Sequence, residues 1–245
     1  RRCGTKSVAL KMAGSWQGEG SQHQGARPYQ EDSWALRALG DGSVLAVVSD
    51  GMGGHAGGAV ASKLVVEAFV HALEQGGGLA DGLRDANAAV GKGAVAKPDL
   101  TGMGATLVAA QVRGEEVRWI SVGDSPLFLV SAGKLERLNA DHSMAPQIDA
   151  MVERGLLTAD EAEHHPARHT LREAVMGDPL TLVDKGSRKL GPDARLLLCS
   201  DGVQTLSAAE IAAAAVKPVG GLIDTVLAAA KEHQDNVTVV KLERE

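Results

Sequence analysis

The sequence predicts an α+β fold in which antiparallel sheets are covered by helices. Three observations predict it. Short apolar stretches recur at close spacing with glycine-containing turns between them, as antiparallel strands require. Two pairs of helical stretches interrupt these runs. The strands come in groups, without the strict strand–helix alternation that builds a parallel sheet, so a layered α+β sandwich is expected.

Ser33 to Leu39 and Val44 to Ser49 flank Gly40-Asp41-Gly42 and read as a hairpin. After the glycine-rich stretch Gly51 to Gly58, the segment Ala59 to Glu74 places Leu64, Ala68 and Leu73 on one helical face. Gly76-Gly77-Gly78 separates it from a second helix over Leu79 to Val95. Four strands then follow closely: Ala105 to Val112, Val117 to Val122, Leu127 to Ser131 and Lys134 to Leu138. Turns at Arg113-Gly114-Glu115 and Ala132-Gly133 make them a meander. The polar, histidine-bearing segment His142 to Asp178 reads as a lid or recognition element, helical over Pro146 to Gly155 and Ala159 to His164. Strands return at Leu180 to Lys185 and Ala194 to Cys199, helices at Ala208 to Val216 and Gly220 to Glu232, and a last strand at Val237 to Leu242. Arg1 to Gly14 reads as a loose N-terminal tail. No repeat or low-complexity linker divides the 245 residues, and one domain over 1–245 is expected.

Composition excludes several classes of function. The 31 acidic against 25 basic residues and the formal net charge of −6 argue against a broad nucleic-acid footprint, which would demand a basic face, while leaving room for a local basic pocket. Aromatics at 2% argue against base-stacking platforms. Cys3 and Cys199 form neither a disulfide framework nor a zinc motif. Nowhere do about 18 consecutive apolar residues occur, so no membrane span and a cytoplasmic setting are expected. A hydrophobic fraction of 44% suffices for folding without a metal, so any metal bound is expected to be functional.

The informative pattern is where aspartates fall relative to apolar runs. Val44 to Val48 ends in Ser49-Asp50-Gly51, and Leu196 to Cys199 ends in Ser200-Asp201-Gly202. Trp119 to Val122 ends in Gly123-Asp124, while Asp235-Asn236 opens the strand at Val237. Carboxylates gathered at one rim repel one another unless a cation neutralises them, and oxygen-only ligands favour magnesium, manganese or calcium over zinc. Glycine after Asp50 lets a backbone carbonyl approach an ion. A single Asp-Gly is ordinary turn chemistry; its recurrence at strand ends is what counts.

The run Gly51-Met52-Gly53-Gly54-His55-Ala56 also fits a dinucleotide-binding pattern. Against it, Asp50 would face a pyrophosphate, and no second strand ending in an acid follows about 20 residues on to hold a ribose. No Lys-Ser or Lys-Thr completes a nucleotide P-loop either.

Taken in order, Arg27-Pro28-Tyr29-Gln30-Glu31-Asp32, Asp50-Gly51-Met52-Gly53-Gly54, Gly102-Met103-Gly104-Ala105-Thr106, Gly123-Asp124-Ser125, Asp141-His142-Ser143, Ser200-Asp201-Gly202 and Asp235-Asn236-Val237-Thr238 resemble the type 2C metal-dependent protein phosphatases, the bacterial branch most closely. The resemblance runs from about Gly25 to Leu242, and the ordered set is specific although each tripeptide alone is weak. It implies a four-layer αββα sandwich, two antiparallel sheets flanked by helix pairs, with a flap-like segment at about 142–178. It also implies a serine/threonine phosphoprotein phosphatase with two Mn²⁺ or Mg²⁺ ions and a weaker third. By position Asp50 bridges both ions, the Gly51 carbonyl serves one, and Asp201 with Asp235 holds the other. Glu31 and Asp32 act mainly through metal-bound waters, Asp124 and Asp201 hold the third ion, and Arg27 grips the substrate phosphate.

In that implied chemistry a hydroxide bridging the two ions attacks phosphorus in line, and Cys199 is a core residue. The implied partners are phosphorylated proteins, a serine/threonine kinase or its targets. Three positions depart from the family pattern: Gln30 stands where asparagine is usual, Pro126 where many members have arginine, and Met52 where eukaryotic members carry a histidine proposed as general acid. His164, His165 and His169 read as an exposed lid, and His142 as ordering the turn after Asp141. The alternative function is a catalytically silent family member acting as a regulatory binding module, which loss of the ligand residues would betray.

Overall fold

The computed structural model describes residues 8–11, 16–53, 56–229 and 233–244. Cys3, Gly54, His55 and the end of the helix expected to run to Glu232 lie outside them. Thirteen strands and six α-helices follow in the order β1 (Val8–Lys11), β2 (Trp16–His23), β3 (Ser33–Ala38), β4 (Val44–Ser49), β5 (Gly51–Met52), α1 (Ala56–Glu74), α2 (Leu79–Ala96), β6 (Gly104–Ala105), β7 (Leu107–Arg113), β8 (Glu116–Val122), β9 (Leu127–Ser131), β10 (Lys134–Arg137), α3 (Ala145–Glu153), α4 (Ala159–Glu163), β11 (Asp184–Lys189), β12 (Arg195–Cys199), α5 (Ala208–Ala214), α6 (Val219–Ala228) and β13 (Val237–Arg244). They form a six-stranded sheet β1-β2-β13-β12-β9-β10, a five-stranded sheet β11-β8-β7-β4-β3 and the short pair β5-β6, every pairing antiparallel.

Side-chain alternation along the strands divides the interior into three apolar layers. In β4, Leu45 and Val47 pack toward α1 and α2 with Val65, Phe69, Ala86 and Val90, while Val44, Ala46 and Val48 face the other sheet. In β12, Leu196 and Leu198 meet them, whereas Leu197 and Cys199 pack toward α5 and α6 with Ile211, Leu222, Ile223 and Val226. The central strands are therefore buried on both faces and read as unbroken apolar runs, unlike a half-exposed sheet. Each fully buried aliphatic or aromatic side chain of this kind contributes about 1.5–3 kcal/mol.

The expected architecture is present: two antiparallel sheets flanked by helix pairs. Several local expectations need correction. Residues 1–14, read as a loose tail, include β1, which pairs with β2 from Val8↔Gly20 to Lys11↔Gln17. The Trp16–His23 stretch was not foreseen as a strand because glycine and polar residues interrupt its apolar pattern. Packing requires those glycines: a Cβ on Gly18 would lie 2.6 Å from Leu36 Cδ2, and one on Gly20 2.3 Å from Trp34 Cζ3. The expected strand at Leu180–Lys185 begins instead at Asp184. The Thr181 and Leu182 amides donate to Glu173 Oε2 at 2.7 and 3.0 Å, which takes them out of any ladder. The expected Ala105–Val112 strand is split at Thr106, whose amide donates to the Asp50 carbonyl at 2.8 Å.

Candidate metal centre

The strand registers carry the ends of both sheets to one rim. Ser33 pairs with Ser49, Val48 with Val108, Leu107 with Val122, Cys199 with Val239 and Val237 with His23. Asp32, Asp50, Asp124, Asp201 and Asp235 each lie one or two residues beyond such a strand end. They therefore converge although up to 203 positions separate them in sequence (235 − 32).

Asp32 is buried, and its Oδ2 accepts from Ser200 Oγ at 2.8 Å and from Thr238 Oγ1 at 2.6 Å. Its Oδ1 is buried without a partner, as is Asp201 Oδ1. Asp50 is held by its backbone, the amide donating to Thr106 Oγ1 at 2.9 Å. That hydroxyl also lies 2.7 Å from Ser125 Oγ, next to Asp124. Asn236 stitches the segment before β3 onto β13: its Oδ1 accepts from the Glu31 amide at 2.7 Å, and its Nδ2 donates to the carbonyls of Gln24 at 2.7 Å and Tyr29 at 3.0 Å. Arg27, on that segment, donates to Asp235 Oδ2 at 2.6 Å.

Burial and mutual repulsion act together on the acids. Burial first, then the charges of Asp32, Asp201, Asp124 and Asp235, hold the Asp50 carboxyl well above its usual range. Asp32 is pushed up to about 7, chiefly by burial and then by Asp201 and Asp235, against the opposing hydrogen bonds of Thr238 and Ser200. Asp124 also rises to about 7, through burial and the charge of Asp201. Asp201 is raised by burial and Asp235, while His169, a hydrogen bond with Asp50, and Arg27 oppose the shift. Oxygens of this kind, buried and unpartnered among like charges, fit a divalent cation with hard-oxygen preference. Among the described residues no three His, Cys, Asp or Glu side chains by themselves close around a single ion. A cation bound here would share its coordination with backbone oxygen and water.

Glycine at position 51 has a second reason besides the one read in the sequence. A Cβ there would lie 2.1 Å from the Gly58 carbonyl oxygen and 2.6 Å from that of Glu31, so main-chain crowding by itself requires glycine. Gly202 is similar, its would-be Cβ 2.0 Å from the Asn236 carbonyl oxygen. Cys199 is buried in the apolar layer against α5 and α6, and burial pushes its thiol up, as a core residue requires. Ser200, Thr238 and Asn236 belonged to quoted motifs, but no role was read for them; Thr106 was likewise overlooked as the tie between Asp50 and Ser125.

The structure is a four-layer αββα sandwich with an aspartate rim at one end of both sheets. The family model of protein phosphatase 2C matches residues 19–236, and the chain belongs to that family. It is 36% identical over 188 residues to the serine/threonine protein phosphatase PstP of Mycobacterium tuberculosis, a match covering 71% of this chain and 35% of that protein. The chain thus spans about a third of that relative's length. The crystal structure of Mycobacterium tuberculosis PstP/Ppp superposes with a TM-score of 0.80 at 30% identity, covering 94% of this chain and 99% of that one. The catalytic domain of PstP in complex with 2 manganese ions superposes with a TM-score of 0.75 at 29% identity, covering 93% and 97%. Among the described residues no helix is long and apolar enough to cross a membrane.

Proposed function

We propose that this chain hydrolyses phosphoserine and phosphothreonine in proteins, using Mn²⁺ or Mg²⁺ held at the aspartate rim. The observation that carries the reading is the pair of buried, unpartnered oxygens, Asp32 Oδ1 and Asp201 Oδ1, within a cluster of five aspartates met directly by one arginine. Asp50, the Gly51 carbonyl, Asp201 and Asp235 would hold two ions, with Asp32 supporting their water and Asp124 with Asp201 holding a weaker third. The manganese bound to the PstP catalytic domain supports the choice of metal. Bound divalent cations supply charge neutralisation and acidify water near neutral pH.

The chain's own residues do the rest. Arg27 is half exposed, 54% for its side chain, and pairs with Asp235 at the rim. It is suited to meet a phosphate arriving from solvent with its planar fork of donors. The Ser200 and Thr238 hydroxyls fix Asp32 so that one oxygen is committed and the other directed inward. Met52 has no ionisable group, so the leaving serine or threonine oxygen would take its proton from water or from another group at the rim.

Residues 1–245 would act as one phosphatase domain, catalytic over about 25–242, with 142–178 as the flap. The substrates would be phosphoproteins of a serine/threonine kinase pathway in the cytoplasm. The test is hydrolysis of an aryl phosphate and of phosphothreonine and phosphotyrosine peptides with manganese, magnesium or chelator. Metal-dependent turnover of the phosphothreonine peptide is expected. Turnover undiminished by chelation would overturn the metal assignment, and no turnover with either metal would leave a binding module.

A further inference from the structure

Asp124 sits in the segment Gly123-Asp124-Ser125-Pro126 between β8 and β9, which belongs to neither strand. Gly123 has a φ of +96°, and Pro126 lacks an amide donor, so the strand ladders reach this segment only at its end, where the Cys199 amide donates to the Pro126 carbonyl at 3.0 Å. Side chains from the segment after β10 hold it instead. The Gly123 amide donates to His142 Nδ1 at 3.2 Å, and the His142 amide donates to the Gly123 carbonyl at 3.1 Å. Asn139 donates to the Ser125 carbonyl at 3.0 Å and accepts from the Leu127 amide at 2.7 Å. These bonds grip both sides of Asp124.

At Asp124 itself the contact is made by Arg137, the last residue of β10. Its Nη2 donates to the Asp124 carbonyl at 2.7 Å, and its Nη1 donates to Asp141 Oδ2 at 2.8 Å. The Arg137 side chain is largely covered, 22% exposed, so it is no free surface arginine. A planar fork bound at two points fixes the orientation of the peptide that follows Asp124, and with it the stretch of backbone from which the Asp124 side chain departs. Asp141 is bound in turn, its Oδ1 accepting from the Ser143 amide at 2.8 Å.

We infer that Arg137 is a positioning residue: braced by Asp141, it aims Asp124 at the carboxylate rim so that the weakest of the divalent cations can be held. The inference rests on the proposed reading of Asp124 as a ligand of that ion. The favourable charge of Arg137 near Asp124 agrees with it. A backbone brace acts before any ion binds, so it is measurable in the metal-free chain.

The test compares Arg137→Gln, Arg137→Lys and Asp124→Asn in the full chain by two readouts. One is manganese binding by calorimetry; the other is amide hydrogen exchange in the metal-free protein. Arg137→Gln should leave tight manganese binding unchanged and weaken the last ion about tenfold, the same ion that Asp124→Asn loses. It should also speed exchange at Gly123 and Leu127 about tenfold while leaving Val47 in the core unchanged. Arg137→Lys should restore part of both effects. If Asp124→Asn loses the weak ion but Arg137→Gln binds manganese and exchanges like the parent, the role of Arg137 is overturned and the reading of Asp124 stands. If Arg137→Gln speeds Val47 as much as Gly123, the residue serves global stability and the inference is overturned. Unchanged manganese binding in Asp124→Asn would sink the reading of Asp124 and the inference with it.

Discussion

The two ends of the sandwich treat their carboxylates in opposite ways. At the end away from the rim, Asp41 pairs with Arg113, Glu115 with Lys189 and Arg244, Glu116 with Arg118, and Glu243 with Arg195 and Lys241. At the rim, five aspartates gather, and Arg27 is the one arginine or lysine directly paired with any of them among the described residues. At the far end each of these acids has a basic partner; at the rim most do not, and that imbalance is what a divalent cation would correct. Surface pairs at the far end contribute little to stability, whereas burial in the unbalanced rim pushes Asp32 and Asp124 up to about 7.

The contrast breaks most clearly through chemistry at the rim. With manganese present, Asp201→Asn or Asp235→Asn should lower kcat by about a thousandfold, the scale of losing a charge-stabilising group in a transition state. Circular dichroism should stay unchanged, because the three apolar layers do not depend on the ions. Near-normal kcat in either variant would remove that residue from the centre.

A smaller loss is expected from Arg27→Ala, about ten- to a hundredfold in kcat/KM on a phosphothreonine peptide, with most of it in KM. Arg27→Lys should recover only part, since a point charge lacks the fork. An unchanged kcat/KM in folded Arg27→Ala would place the phosphate elsewhere.

Stability without metal sharpens the comparison further. Asp32 and Asp124 have folded-state values of about 7 against an ordinary 3.8, so the folded chain binds more protons than the unfolded chain between those pH values. The stability of the metal-free chain should therefore fall as pH rises from about 4 to about 7, and manganese should raise Tm more at pH 8 than at pH 5. Asp50→Asn in chelator should raise Tm at pH 8, at roughly 2–4 °C per kcal/mol of relieved repulsion in a chain of this size. A Tm gain from manganese that is the same at both pH values would contradict the picture. The smallest effect belongs to the far end, where Glu116→Gln should change stability by no more than about 0.5 kcal/mol in urea unfolding.

The helix pairs and the two hairpins β7-β8 and β9-β10 were legible because their signals are local; the expected four-stranded meander is wrong, since β8 and β9 belong to different sheets and the chain crosses between them at Gly123–Pro126. The turn glycines bear this out: Gly42, Gly114 and Gly133 all have positive φ at 80°, 59° and 72°. Trp16–His23 was not legible, since Gly18 and Gly20 stand in β2 for the sake of Leu36 and Trp34 in the facing sheet. The segment His142 to Asp178, expected to be helical over Pro146 to Gly155 and Ala159 to His164, is helical over Ala145–Glu153 and Ala159–Glu163. Arg137 carries no motif; an arginine four residues before an aspartate looks like any surface pair until its second donor is seen on the Asp124 carbonyl.

By itself the sequence determined the alternation of apolar runs and turns, and it set an aspartate at the end of several strands, because both follow from the geometry of one short stretch of chain. Tertiary structure alone decided which carboxylate oxygens are satisfied and which are left bare. Asp32 is committed by Ser200 and Thr238, 168 and 206 residues away, and the segment bearing Arg27 is stitched by Asn236 to the strand that follows Asp235. Hydrogen bonding and charge act over a few ångströms of space whatever the separation along the chain, so the electrostatics of the rim exist only once the registers of both sheets are set.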